Sequence, residues 1–89
     1  AFLIAKTRLF DRLRGAINER QEKALLRMFA QGPDGFDGGL SAANYRTITG
    51  ALSATATRDL AELVALGALR REGELRYTRY YLALDDLAP

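Results

Sequence analysis

Residues 47–71 read TITGALSATATRDLAELVALGALRR and decide the fold. Gly50 and Gly67 are typical stop residues for helices, because glycine adopts the left-handed backbone of a helix end at little cost. We predict that one helix ends just before Gly50 and that a second helix runs from about Ser53 to Leu66. Two helices joined by so short a turn form a helix-turn-helix motif.

The second helix is amphipathic. One face carries apolar residues at helical spacing and is expected to pack against a core. Its members are Ala56, Leu60, Leu63, Val64 and Gly67. The opposite side of its first turns carries small hydroxyl residues and an arginine, which permit close approach to a DNA groove and hydrogen bonds to phosphates and base edges. The DNA-binding residues predicted there are Ser53, Thr55, Thr57 and Arg58.

Arg58 also has a plain structural alternative. Glu62 lies four residues further along the helix and Asp59 is adjacent, so a surface ion pair could hold the Arg58 side chain instead of a ligand. The sequence leaves both roles open. Asp59 itself is interpreted as structural, since a carboxylate in a DNA groove would repel phosphate.

The first helix of the motif is predicted over residues 42–49, with Ser41 as its N-cap and Tyr45 facing inward. In a helix-turn-helix this helix crosses the phosphate backbone, which makes Asn44 and Arg46 candidates for phosphate contact. The alternative is that both are ordinary surface residues.

A β-hairpin is predicted after the motif, with strands over residues 69–72 and 76–84 and a turn at Gly73. Alternation places Tyr80, Leu82 and Leu84 on the inner face. The hairpin also carries arginines suited to phosphates or a minor groove, although its turn holds two glutamates that oppose such contact. The predicted DNA-contacting arginines are Arg70, Arg71, Arg76 and Arg79.

Another helix is expected upstream, from the N-cap Asn18 to about Ala30, with Gln21 completing a capping box. Residues 34–39 form a glycine-rich loop, and a short edge strand is expected near residues 39–40. The polar side of the helix is predicted to be a solvated face, with DNA contact as the alternative. Its members are Glu19, Arg20, Glu22, Lys23 and Arg27.

Residues 2–14 are predicted to form a further helix that a helix-turn-helix domain does not need. We treat residues 1–15 as a connector helix and residues 16–89 as the domain. The apolar side of the connector must be buried somewhere, and we predict a homodimer through it. The self-association residues are Phe2, Leu3, Leu9, Phe10 and Leu13. Packing onto the chain's own domain is an equal alternative.

Two sets of residues carry a resemblance to known families. The helical run Thr55–Leu60 with Leu63, Gly67 and Leu69 resembles the recognition helix of winged-helix regulators of the DeoR and GntR kind. A wider pattern resembles the carboxy-terminal winged-helix module of Fic-family proteins. It comprises residues 18–29, Leu40, Ser41, Asn44, Tyr45, Ile48, Thr49 and Gly50, the same helical run, Gly73–Arg76 and Thr78–Tyr80. Where that pattern usually has Ser then Arg, this chain has Leu52 and Ser53.

The resemblance implies a mainly α-helical fold with a small β-hairpin wing: a winged helix-turn-helix with a three-helix core, preceded by an extra N-terminal helix. It also implies a Fic catalytic domain as a partner in a longer polypeptide. The AMP-transfer chemistry of that family is associated with the motif His-Pro-Phe-x-x-Gly-Asn-Gly-Arg, and this chain contains no histidine. We therefore expect that the chain is not itself an enzyme.

Composition narrows the function further. Without His or Cys, thiolate metal sites, Ser-His-Asp triads and the commonest general base are unavailable, so no metal and no cofactor are predicted. No run approaches the ~20 apolar residues of a membrane span, and the amino terminus is too short and broken for a signal peptide. We expect no membrane partner and a cytoplasmic protein.

The net charge of +2 is unevenly distributed. Residues 1–31 carry seven basic and three acidic side chains, whereas residues 32–69 carry two basic and four acidic ones. Because phosphate neutralisation supplies non-specific DNA affinity, any binding to duplex DNA should be weak and sensitive to salt. The prediction is a DNA-binding winged helix, with a protein-interaction or dimerisation module regulating a Fic enzyme as the alternative.

Overall fold

The computed structural model describes residues 2–32 and 36–83 of the 89-residue chain, without the side chain of Phe2. The described residues form the helices α1 (Phe2–Leu13), α2 (Glu19–Ala30), α3 (Ala42–Thr49) and α4 (Ser53–Ala65). The strands β1 (Leu69–Glu72) and β2 (Arg79–Leu82) follow, separated by a 3₁₀ turn over Leu75–Tyr77. This mainly α fold with a small β-hairpin confirms the predicted class.

Local sequence sets most helix boundaries. The Asn18 side chain accepts a hydrogen bond from the Gln21 amide, and Ser41 does the same for the Asn44 amide, so both predicted N-caps are confirmed as capping boxes. Gly50 ends α3 with a φ of 75°, in the left-handed region that favours glycine. The short turn between α3 and α4 follows directly from that residue.

The end of α4 is a Schellman motif around Gly67. The Gly67 amide donates to the Val64 carbonyl at 3.0 Å and the Ala68 amide to the Leu63 carbonyl at 2.9 Å. Arg12 of α1 adds to this end, since its Nη1 donates to the Leu66 carbonyl at 2.6 Å. A cation at a helix carboxyl terminus also interacts favourably with the helix dipole.

The core lies where α2, α3, α4 and the hairpin meet. Its fully buried members include Tyr45 of α3, most of the inward face predicted for α4 and part of α1, whereas Val64 and Gly67 of that predicted face are half-buried. They are Leu9, Leu13, Ala24, Leu25, Met28, Leu40, Tyr45, Ala56, Leu60, Leu63 and Ala68. The connector helix and the helix-turn-helix therefore share one core. This agrees with the alternative prediction that α1 packs onto the chain's own domain.

The hairpin, which we call the wing, pairs antiparallel with Leu69 opposite Leu82 and Glu72 opposite Arg79. Tyr80 and Leu82 face inward as predicted, and Leu84 lies outside the described residues. The prediction of strand at residues 76–78 is wrong, because the chain turns through the 3₁₀ segment before β2 begins. The expected edge strand is a single bridge from Leu40 to Tyr80.

Candidate nucleic-acid interface

The exposed side of α4 matches the prediction at three of its four residues. Ser53, Thr57 and Arg58 are exposed, and Thr55 is half-buried. The Thr57 hydroxyl donates to the Ser53 carbonyl at 3.1 Å, one turn earlier in the helix. Helix α4 thus presents a small, polar leading end.

Arg58 is not held by a neighbouring carboxylate. Among the described residues its guanidinium makes no ion pair, and the Glu62 carboxylate instead accepts a hydrogen bond from Gln21 Nε2 at 3.0 Å. The alternative of a surface ion pair with Glu62 is therefore wrong in this structure. The guanidinium is available to a ligand.

Asp59, the next residue, is turned the other way and buried, with 1% of its surface exposed. Its carboxylate accepts hydrogen bonds from Arg20 Nε at 2.7 Å, Tyr45 Oη at 2.8 Å and Asn18 Nδ2 at 3.1 Å. A second bond from Arg20, through Nη2 at 3.1 Å, makes the pair bidentate. The structural role predicted for Asp59 is confirmed, and the solvated surface role predicted for Arg20 is wrong.

These contacts shift the proton affinities of the three groups. Burial raises the pKa of Asp59, but the hydrogen bonds from Arg20, Tyr45 and Asn18 outweigh it, so the pKa lies below its usual value. The hydrogen bond to Asp59 raises the pKa of Arg20. Burial, reinforced by the bond to Asp59, raises the pKa of Tyr45 well above its usual value. The site holds a carboxylate, a guanidinium and a neutral phenol at neutral pH.

Gln21 extends this cluster and is itself fully buried. Its Nε2 donates to the Asp59 carbonyl at 3.0 Å as well as to Glu62, while its Oε1 accepts from the Asn18 amide at 2.9 Å. Every buried side-chain nitrogen and oxygen of the described residues has a hydrogen-bond partner. We call Asn18, Arg20, Gln21, Tyr45, Asp59 and Glu62 the junction network, because it ties α2 and α3 to α4.

The network was only partly visible in the sequence. Asp59 follows Ala56 by three residues and precedes Leu60, so helical spacing puts it on the apolar face and signals a buried carboxylate that needs a partner. Nothing in the local pattern of α2 distinguishes Arg20 from the other charged residues around it. Only the packing of α2 against α4 selects it.

The two candidates on α3 are both exposed. Asn44 Oδ1 accepts from the Ser41 hydroxyl at 2.9 Å, so its amide oxygen is used in the capping box. Arg46 Nε donates to the Ala51 carbonyl at 3.4 Å across the turn. Arg46 therefore lies beside the start of α4, where its other guanidinium nitrogens can meet a phosphate.

The wing arginines differ in the contacts that they make within the chain. Arg70 pairs with Glu72 at 2.7 Å and lies over the Tyr81 ring at 5.1 Å. Arg76 lies over the Tyr77 ring at 5.1 Å, and Arg79 Nη1 donates to the Thr78 carbonyl at 2.8 Å. The remaining arginine, Arg71, is exposed and makes no ion pair within the described part of the chain.

Part of this set converges on one surface groove. A groove of ≈ 560 Å³ separates α4 and the start of α3 from the wing. It is lined by Thr57 and by Arg71, Arg76 and Arg79, four of the predicted DNA-binding residues. Ser53, Thr55, Arg58, Asn44, Arg46 and Arg70 lie outside its lining. We call this the wing groove.

The structure also corrects the charge count of the motif. Asp59 is buried against Arg20, so its charge does not face a ligand at the surface of α4. The exposed charges of residues 41–66 are Arg46 and Arg58 against Glu62. The surface of the helix-turn-helix is weakly basic, although residues 41–66 of the sequence carry two basic and two acidic side chains and no net charge.

The fold buries some of the predicted self-association residues and leaves others exposed. Leu9 and Leu13 are buried in the chain's own core, which corrects their assignment to an intermolecular surface. Phe10 is half-buried, with its ring centroid 5.7 Å from that of Phe29. Leu3 is 74% exposed, and the neighbouring Ile4, which the sequence analysis missed, is 54% exposed. The side chain of Phe2 lies outside the described residues.

Comparison with known proteins found no family model that matches this chain and no matching curated protein. Within residues 2–32 and 36–83, no helix has the length and apolar character needed to cross a membrane. The same residues contain no group of three or more acidic side chains arranged to hold a metal ion.

Proposed function

We propose that this chain is a winged-helix module that binds duplex DNA and belongs to the carboxy-terminal part of a cytoplasmic Fic-family protein. In this proposal the leading end of α4 enters the major groove and the wing arginines lie on the flanking phosphate backbone. The wing groove carries the proposal, because it places Thr57 and three arginines around one channel, while Arg58 on α4 is exposed and makes no ion pair with any residue that the structure describes. The chain has no catalytic step of its own; AMP transfer would belong to a separate domain.

The charge of the surface sets the expected strength of binding. Arg46, Arg58, Arg71, Arg76 and Arg79 are the cations available to phosphates in this orientation. Each phosphate neutralised contributes about 0.9 to the slope of log affinity against log salt concentration, so five contacts imply a slope of about −4 to −5. A single module should therefore bind measurably in low salt and weakly at physiological salt.

The experiment is a fluorescence anisotropy titration of a random duplex of about 25 base pairs in about 50 mM salt, repeated at higher salt. We expect Arg58→Ala to weaken binding and Arg76→Ala combined with Arg79→Ala to lower the salt slope by about 2. Arg14→Ala is the matched control, because Arg14 is an exposed arginine just after α1 that pairs with Asp11. No binding in low salt would reject the proposal, and binding unchanged by both variants would reject this surface.

One observation favours a second candidate function, a protein-interaction module. Leu3 and Ile4 form an exposed apolar pair at the start of α1 that the shared core does not cover. Such a pair can bury itself against a second copy of the chain or against a Fic catalytic domain in the parent protein. Light scattering on the wild type and on Leu3→Ser combined with Ile4→Ser tests the dimer. A dimer that the double variant dissociates supports it, whereas a monomer at all concentrations excludes it.

A further inference from the structure

A second cavity adjoins the wing groove and has no role in the proposed DNA contacts. It has a volume of ≈ 390 Å³ and lies between α4 and the wing. Its lining residues are Thr57, Ala61, Val64, Arg71 and Tyr80. Three of these, Thr57, Arg71 and Tyr80, also line the wing groove, so the two cavities are continuous. We call the second cavity the apolar pocket, and the two cavities together the amphipathic channel.

The amphipathic channel has cations at one end and apolar groups at the other. In the wing groove the charge comes from Arg71, Arg76 and Arg79, whereas Ala61 and Val64 of α4 bring only methyl groups to the apolar pocket. Within the part of the chain that the structure describes, no carboxylate lines either cavity. A DNA backbone is a row of phosphates and uses the cations alone. A ligand that fits both ends needs an anionic head and an apolar body.

Tyr80 is a second observation that points to a ligand. Only 9% of its surface is exposed, and it lines both cavities. The hydroxyls of Tyr45 and Tyr77 have hydrogen-bond partners, whereas the Tyr80 hydroxyl has none among the described residues. A tyrosine hydroxyl at such depth ordinarily has a partner. Because every fully buried side-chain oxygen of those residues has one, the Tyr80 hydroxyl must reach solvent, and the amphipathic channel is the opening beside it.

Arg71 lies beside this hydroxyl. It is the residue of β1 directly opposite Tyr80 in β2, and side chains directly opposite in an antiparallel pair project on the same face of the hairpin. Arg71 is exposed and makes no ion pair within residues 2–32 and 36–83. A guanidinium with a hydroxyl donor next to it matches the oxygens of a carboxylate or a phosphate.

We infer that the amphipathic channel binds a small amphipathic anion. Its head lies on Arg71 and the Tyr80 hydroxyl, and its apolar body lies in the apolar pocket against Ala61 and Val64. The volumes of ≈ 560 and ≈ 390 Å³ lie within the range of about 300 to 1,000 Å³ that is usual for small-molecule sites. This site goes beyond the proposed function and does not need DNA to form. Only its regulatory consequence, that ligand and duplex exclude each other at Arg71, rests on the proposed function.

The probes are octanoate and octyl phosphate, which share an apolar chain and differ in the head group. Each is titrated into the full chain by isothermal titration calorimetry in about 50 mM salt. At least one should bind, and about tenfold more tightly than the same anion with a chain two carbons shorter, because two fewer methylenes are then buried. The head group that binds more tightly identifies the class of ligand. Octylammonium, with the same chain and the opposite charge, should not bind.

The polar contacts are tested by two variants with matched controls. Tyr80→Phe keeps the ring and removes the hydroxyl, so it should weaken binding about tenfold. Tyr81→Phe makes the same change outside both cavities and should leave binding unchanged. Arg71→Ala should weaken binding at least as much as Tyr80→Phe, whereas Arg70→Ala, at the adjacent exposed arginine outside both linings, should not.

The apolar pocket is tested by Ala61→Glu, which places bulk and negative charge in it and should abolish binding. Ala61 is exposed and glutamate is a good helix former, so α4 should be retained. Ala65→Glu is the matched control, one turn further along α4 at an exposed position outside both linings. No binding of either anion would overturn the inference. So would equal binding of octylammonium, or binding that Tyr80→Phe or Ala61→Glu leaves unchanged.

Competition with DNA distinguishes the inference from the proposed function. Ligand at about ten times its dissociation constant should lower the affinity for the random duplex about tenfold. Ligand binding without any duplex binding would reject the proposed function and support the ligand site. Duplex binding without ligand binding would overturn the inference and leave the proposed function standing. Duplex affinity unchanged by bound ligand would place the ligand away from Arg71 and overturn the inference.

Discussion

The junction network and the wing are both rich in charged residues, but they hold them in different ways. In the network, one buried carboxylate collects donors from α2 and α3, at distances of 2.7 to 3.1 Å. In the wing, Arg70, Arg76 and Arg79 contact residues of the wing itself; Arg70 and Arg76 are exposed and Arg79 is half-buried. The network connects elements distant in sequence, whereas the wing contacts are local.

This difference separates stability from function. A charge buried among hydrogen-bond donors is strongly coupled to folding, because removing it leaves those donors without an acceptor. Charges on a solvent-exposed hairpin are screened and add little to stability, but they remain free to exchange their local contacts for phosphates. We expect mutations in the network to change folding and mutations in the wing to change binding.

The largest effect should come from Asp59→Ala. It leaves the Tyr45 hydroxyl without its acceptor in the core and removes the partner of Arg20, so the free energy of unfolding should fall by about 3 kcal/mol. Urea denaturation followed by circular dichroism measures it. Asp11→Ala is the matched control on an exposed pair and should cost about 0.5 kcal/mol or less. Equal losses in the two variants would show that the network does not stabilise the domain.

The pH dependence of stability should also reflect the contacts of the junction network. The folded pKa of Asp59 lies below its unfolded value of about 3.9, so its stabilisation is present above that pH and is lost as the pH falls through the folded value. The folded pKa of Tyr45 lies above its unfolded value of about 10, so its contribution is present below pH 10 and is lost as the pH rises further.

Urea titrations of the wild type and Asp59→Asn across pH 2 to 8 should therefore converge at the acid end. Tyr45→Phe should selectively flatten the fall in stability above about pH 10. A difference between wild type and Asp59→Asn that is constant over this range would contradict an ionised Asp59 in the folded protein.

The stability of the wing should depend on its backbone conformation and not on its charges. Gly73 has a φ of 83°, and an added Cβ would approach the Tyr77 carbonyl oxygen. Gly73→Ala should destabilise the hairpin by about 2 kcal/mol and weaken DNA binding. Gly50→Ala shares the left-handed backbone but meets no atom within 4 Å, so it should cost about 1 kcal/mol. Denaturant unfolding of the two variants measures both losses of stability. Equal losses would contradict the close approach of Gly73 to the Tyr77 carbonyl oxygen.

The smallest expected effect is at the contact between α1 and α4. Arg12→Ala removes a donor from the Leu66 carbonyl at an exposed position and should lower stability by about 0.5 kcal/mol. Thermal unfolding of Arg12→Ala and Arg14→Ala, measured side by side, isolates the effect of this contact, because Arg14 is a neighbouring exposed arginine whose guanidinium pairs with Asp11. A larger loss would show that α1 is fixed to the domain by this contact as well as by the core.

Helix positions were predictable because their signals are local. Capping residues, stop glycines and apolar spacing act within one or two turns, so Asn18, Ser41, Gly50 and the inward face of α4 could all be identified in the sequence. The exposed face of α4 followed from the same spacing. The 3₁₀ turn in the wing was missed because strand propensity at Tyr77 and Thr78 gives no warning of a turn.

The sequence by itself determined the order of helices and hairpin and the exposure of Arg58, and it indicated a structural role for Asp59. The tertiary structure alone decided that Arg20 and Gln21 complete the junction network, that Leu9 and Leu13 belong to the core, and that three wing arginines share a groove with Thr57. The reason is physical. Helical periodicity fixes which side of an element faces inward, whereas the partner that a buried or convergent side chain meets depends on how distant elements pack.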